Sequence, residues 1–242
     1  MIIIFKKEIN DFLNSFIAYI VMAVFLVGTG LVMWVFPDSS VLDYGYASME
    51  SLFTLGPYLF LFLIPAITMK SFAEEKRTGT LELLYSLPFR DWEIILGKYF
   101  SSFALVAFAL LPTIVYYYSI HSLGSPTGNL DTPGIIGSYV GLLLLGGLFT
   151  AIGMLASALT ENQIISFVLA AFLCFFLYEG IETIAGIDAW GSWSYQLEQW
   201  GMLYHYNALS RGLLDLRDVV YFLGMITFML LMVRFTLSTK KA

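Results

Sequence analysis

Charge, histidine and cysteine are all scarce in this chain of 242 residues. Charged side chains make up 12% of it, half the roughly 25% of an ordinary soluble domain. So little polar surface cannot wrap a water-soluble globule, which excludes a disordered chain and a typical cytosolic enzyme. The single cysteine, Cys174, lies in an apolar run without a mate, so no intrachain disulfide can form. His121 and His205 fall in separate segments and no H-E-x-x-H is present, which argues against a metal site. Acidic residues outnumber basic ones, 18 to 12, for a net charge of −6. No nucleic-acid partner held by phosphate neutralisation is therefore expected.

What the chain has in abundance is apolar length. Hydrophobic residues reach 59% and mean hydropathy is +0.80. A helix needs about 20 mainly apolar residues to cross the hydrocarbon, and lipid offers nothing to pair loose backbone groups. Six runs qualify: 16–36, 51–69, 99–120, 135–159, 164–181 and 219–237. The fifth carries Glu179 and the sixth Arg234, each near an end, where a charge snorkels to the interface. The expected fold is an all-α membrane protein of one transmembrane domain over residues 1–242, with six spans.

An even number of spans puts both termini on one side. With both cytoplasmic, Lys6, Lys7, Lys70, Lys76, Arg77, Arg90, Lys98, Arg234, Lys240 and Lys241 fall inside, and only Arg211 and Arg217 outside. That bias fixes the orientation and leaves the outer face acidic. The first run is too long for a secretory signal core and is read as a retained signal anchor. Ahead of it, Phe5, Ile9, Phe12, Leu13 and Phe16 recur at helical spacing opposite Lys6, Lys7, Asp11 and Asn14. This pattern predicts an amphipathic helix along the inner surface.

Span four carries small residues four apart: Gly137 and Gly141, Gly147 and Ala151, Gly153 and Ser157. Such pairs let helices approach closely in lipid. Residues 182–218 are unusual among the outer segments. They hold Trp190, Trp193, Tyr195, Trp200, Tyr204 and Tyr206, and an apolar patch from Trp200 to Leu214 too short to span. Aromatics with polar tips prefer the headgroup level, so an outer re-entrant or interfacial hairpin is expected before span six. Glu179 and Glu182, three apart, share a helix face near the outer end of span five, where they would line an exit path or meet a partner, or simply be solvated.

The most informative segment is the inner loop 70–98, with ten of the chain's charges. Gly97-Lys98 resembles the end of a phosphate-binding loop, but Trp92 stands where the first glycine belongs and Tyr99 where Ser or Thr belongs. No nucleotide site follows. Thr80 is placed to cap a short helix with Glu82 in its first turn, Pro88 ends it, and Asp91 is placed to cap the next. Leu81, Leu84 and Tyr85 share one side of that short helix, the kind of face a partner's groove accepts.

The run Glu74-Glu75-Lys76-Arg77-x-Gly79-Thr80-Leu81-Glu82-Leu83-Leu84-x-x-x-Pro88, followed by Glu93-x-x-x-Gly97-Lys98, resembles the hallmark of type-2 ABC exporter permeases. Overall likeness is greatest to the GldF-type permeases of bacterial gliding-motility transporters. The resemblance implies that the loop is a coupling helix docking on a separate ABC ATPase subunit. Glu75, Arg77, Gly79, Thr80, Glu82 and Pro88 would be coupling residues, with Gly97 and Lys98 at the entry to span three. It implies a permease without a nucleotide site of its own, ATP and Mg being bound by the ATPase. It also implies a second permease or a larger auxiliary membrane subunit as partner, and a bacterial inner-membrane location. A rival reading is a non-transporting subunit that passes ATPase-driven motion to periplasmic or motility machinery. An embedded enzyme lacks a nucleophile–base or metal constellation, and an ion channel lacks a filter or charged ring.

Overall fold

The computed structural model describes residues 1–37, 39–43, 47–187, 191, 193–212 and 215–239. Trp190, Leu214, Lys240 and Lys241 lie outside them. Among the described residues there are thirteen α-helices and no strand. In order they are α1 (Ile2–Leu13), α2 (Phe16–Trp34), α3 (Glu50–Thr68), α4 (Ala73–Thr78), α5 (Thr80–Ser86), α6 (Asp91–Leu110), α7 (Ile114–Leu123), α8 (Thr132–Leu159), α9 (Gln163–Phe175), α10 (Ile181–Ala185), α11 (Ser194–Glu198), α12 (Met202–Ser210) and α13 (Leu216–Thr239).

Five helical runs are long and apolar enough to cross a membrane: Glu50–Thr78, Asp91–Leu123, Thr132–Leu159, Gln163–Ala185 and Leu216–Thr239. A sixth is reached if α1 and α2, bent by 71°, count as one span. The helices overrun the apolar segments because hydrogen-bonding residues, not the end of hydrophobicity, decide where a helix stops. Thus the fourth begins at Thr132 rather than 135, where the Asp131 carboxylate accepts the Gly134 N–H at 3.2 Å. The third continues through a 3-10 turn, Leu111–Thr113, that holds Pro112.

Helix α8 is the axis of the bundle: 78% of its apolar window is buried, against 22% for both Gln163–Ala185 and α13. Its small residues face different neighbours. A Cβ on Gly137 would lie 2.5 Å from the Leu209 carbonyl oxygen, and one on Gly141 3.3 Å from the Tyr206 ring, so both admit α12. Gly147 admits Tyr99 of α6 and Ile226 of α13, and Ala151 is fully buried one turn on. Gly153 admits α3, where a Cβ would collide with Thr68 Oγ1. Because lipid supplies no hydrophobic drive between helices, this close backbone contact is what gathers the bundle.

Gly153→Ala is expected to destabilise the detergent-solubilised chain by about 1–3 kcal/mol, the usual range for overpacking. Thr68→Ala in the same chain should restore most of the loss, read as the melting temperature in a double-mutant cycle.

Candidate functional site

At the loop 70–98, charged side chains from three elements converge. Its first helix, α4, is only six residues long and cannot hold itself together. Helix α8 supplies what it lacks. Ser157 Oγ accepts the backbone N–H groups of Phe72 and Ala73, both at 3.0 Å, and donates to the Met69 carbonyl at 3.1 Å. This is an N-cap borrowed from another helix. Lys76 Nζ in turn donates to the Ala158 carbonyl in the last turn of α8, where a cation also meets the negative end of the helix dipole. Ser157, which its spacing marked as a packing residue, is therefore also a cap.

At Gly79 the chain turns into α5 with φ +71°, a left-handed conformation that glycine adopts without a Cβ penalty. Gly79 itself occupies the cap position of α5, and Thr80 is the first helical residue. Its hydroxyl lies 2.9 Å from that of Thr78 and does not cap α5. Leu87 ends α5 in extended conformation because Pro88 disfavours a helical residue before it. Asp91, expected as the next cap, is likewise the first residue inside α6. There Glu93 Oε2 accepts the Arg90 backbone N–H at 3.1 Å.

Lys98, two turns into α6, is the centre of the site. Its side chain is 2% exposed, and its ammonium donates to Glu8 Oε1 of α1 at 2.9 Å and to Glu75 Oε1 of α4 at 2.8 Å. The Phe72 ring lies 5.4 Å below it, within cation–π range. Lys7 adds longer contacts to Glu8 at 3.5 Å and Glu75 at 3.8 Å. A lone buried ammonium costs several kcal/mol of lost hydration, which these two carboxylates offset. The neighbour Gly97 lets α1 come this close, since a Cβ there would meet Ile4 at 3.0 Å. Glu8 is absent from the residues singled out by the coupling motif. Its signal was a carboxylate between Ile4 and Phe12 on one stripe of α1, implying a buried cation opposite.

The faces of α5 divide differently from the sequence expectation. Leu81, Leu84 and Tyr85 do share a side, but it is half-buried against the chain's own core. Burial, with Asp91 and Glu75 nearby, pushes the Tyr85 phenol up to about 12. The exposed apolar residues are Leu83 and Leu87, at 66% and 48%, flanked by exposed Glu82, Ser86 and Pro88. Arg77 is also exposed. Between α5, α1 and the end of α3 opens a cleft of about 770 Å³ walled by Phe12, Ala66, Leu83, Leu84 and Leu87, with Lys7 and Lys70 among its polar lining.

Glu179 and Glu182 lie far from this loop, Glu179 within a π-helical turn at Phe176–Gly180 and Glu182 just after it in α10. Glu179 Oε2 accepts the Tyr58 hydroxyl at 3.2 Å. In the 182–218 segment, α12 packs on α8, and Tyr206 donates to the Phe53 carbonyl at 2.6 Å. Trp193, Tyr195 and Trp200 are exposed.

An apolar bundle with several helices long enough to cross a membrane, gripping a short charged helical hairpin at one end, is a multi-pass membrane protein. The family model described as ABC-2 family transporter protein matches residues 37–200, more than half of the chain, and the chain belongs to that family. It is thus the membrane permease component of an ABC transporter, a role that implies an ABC ATPase subunit as partner. No curated protein matches the sequence.

Lys98→Ala would leave Glu8 and Glu75 facing each other with only the longer Lys7 contacts, at an expected cost of about 3 kcal/mol. Lys98→Ala combined with Glu75→Gln should recover part of it. Thermal unfolding of the purified chain measures both.

Proposed function

We propose that the chain is the export-type permease of a gliding-motility-associated ABC transporter in a bacterial inner membrane, driven through the loop 70–98. That loop is the coupling element, and its end of the bundle is cytoplasmic. The chain holds no nucleotide; ATP and Mg are bound by the separate ATPase subunit. Two membrane subunits face each other, either two copies of this chain or this chain and a larger auxiliary subunit.

The observation that carries the reading is the grip on α4 and α5. Lys98, Ser157 and Lys76 fix α4 to α1, α6 and α8, so a load applied at α5 passes into the spans instead of bending a loose loop. Meanwhile Leu83 and Leu87 stand outward with Glu82, Arg77 and Pro88 around them, an apolar pair in a charged rim of the kind that anchors a protein contact. Nucleotide-driven closure of the ATPases then biases the bundle between two arrangements, as coupling between distant sites requires.

The role of transmitting motion without cargo draws on Trp193 and Trp200, exposed at 65% and 73% at the other end. Reconstitution separates the two: a pump shows a permeant that stimulates ATP hydrolysis, a transmitter an outer protein partner.

Leu83→Asp and Leu87→Asp should each weaken co-purification with the ATPase by roughly tenfold, the effect of removing one interface anchor. Undiminished co-purification in the double variant would remove α5 from the interface. Leu84→Asp, by contrast, should lower thermal stability of the permease on its own.

A further inference from the structure

A second cleft, of about 460 Å³, lies at the end of the bundle away from the 70–98 loop, between the first half of α3, the start of α8 and α12. Its size is that of a small-molecule site, and its lining is chemically one-sided. Phe53, Tyr58, Tyr178 and Tyr206 contribute aromatic rings, with Tyr178 edge-on to both Tyr58 and Tyr206 at 6.0 and 6.4 Å. Glu50 and Asp131 are carboxylates in its lining, against one guanidinium, Arg211.

The floor is less ordinary than the mouth. Glu50, Thr54 and Tyr58 recur every four residues along α3, so the cleft follows one helix face for two turns, about 12 Å into the span. Tyr58 hydrogen-bonds Glu179, a carboxylate inside the span Gln163–Ala185. No Lys or Arg pairs with Glu179 among the described residues. Glu179 is half-buried near the end of that span and lies close enough to Tyr58 to act on a charge held there. The turn that carries Tyr178 and Glu179 is π-helical, an irregularity that recurs at functional positions. Donating its proton to a carboxylate also enriches the Tyr58 ring in electrons, which strengthens its attraction for a cation.

We propose that this cleft is a binding site for an organic cation with an apolar body. The charge lies over the Tyr58 face, balanced by Glu179 behind the ring and Glu50 at the rim, while the apolar part rests on Phe53 and Tyr206. The two carboxylates Glu50 and Asp131 outnumber the one guanidinium of Arg211 in the lining. Neutral lipid tails would gain nothing from the carboxylates, and anions would be repelled by them. Use of the site for cargo rests on the transport reading above; binding by the solubilised chain without an ATPase does not.

Equilibrium dialysis of the full-length chain in detergent, with labelled tetraphenylphosphonium as the probe and tetraphenylborate as its size-matched anion, tests the assignment. One saturable site per chain is expected for the phosphonium and none for the borate. Tyr58→Ala should weaken phosphonium binding roughly tenfold, whereas Tyr58→Phe, which keeps the ring, should lose less than about threefold. Glu50→Gln, an exposed change that does not threaten folding, should weaken it by about threefold. Equal binding of the two ions, absence of a saturable phosphonium site, or indifference to both Tyr58→Ala and Glu50→Gln would overturn the proposal.

Discussion

Burying the Lys98 ammonium is the constraint around which one end of the molecule is arranged. An ion removed from water needs more than one opposite charge and tolerates little freedom in their placement. The carboxylates come from α1 and α4, which lie far apart in sequence, so the charge balance is also a geometric statement. It holds the N-terminal helix across α6, fixes α4 beneath α3, and requires Gly97 to be bare so that Ile4 can pass. The same requirement explains why a loop rich in charge is nonetheless ordered: its acidic residue Glu75 is committed inward, while Arg77 and one face of α5 are left outward.

Helix α8 converts that local constraint into a global one. Ser157 and Ala158 grip α4 at its C-terminal end, Gly153 seats α3 one turn earlier, and Gly137 and Gly141 seat α12 near its N-terminal end. At 1.5 Å per residue, its 28 residues span about 42 Å, more than the hydrocarbon thickness. Close contacts along that length tie α4, α3 and α12 to one helix, the mechanical continuity that the proposed coupling role of the loop requires.

The helical class and the approximate places of the spans were legible because each rests on a local quantity, the run of apolar residues. The charged loop was legible for a similar reason: charge density and Gly79, Pro88 and Glu82 are local signals. What escaped depended on partners distant in sequence. Thr80 and Asp91 have the chemistry of caps, but Gly79 and Arg90 occupy the cap positions and each residue falls one place inside its helix; the hydroxyl of Ser157, from α8, caps α4 instead. The stripe Leu81, Leu84 and Tyr85 was recognisable as apolar, yet periodicity does not say whether such a face meets its own core or another chain. The small-residue pairs on α8 announced close packing without naming neighbours, and those proved to be α12, the α6–α13 groove and α3 in turn.

The two clefts share walls more than position suggests. Helix α3 contributes Glu50, Phe53 and Tyr58 to one and Ala66 to the other, with Lys70 just beyond its end. Helix α8 borders the Tyr58 cleft through Gly134 and Ser138 and grips the loop beside the other through Ser157. These helices meet where Leu142 packs within 3.2 Å of a Cβ position on Gly56, and again at Gly153 and Thr68. Contacts toward both ends tie α3 to α8 along its length. Glu179, bonded to Tyr58 of α3 and carried on the π-helical turn 176–180, ties α3 to the end of the fifth span as well.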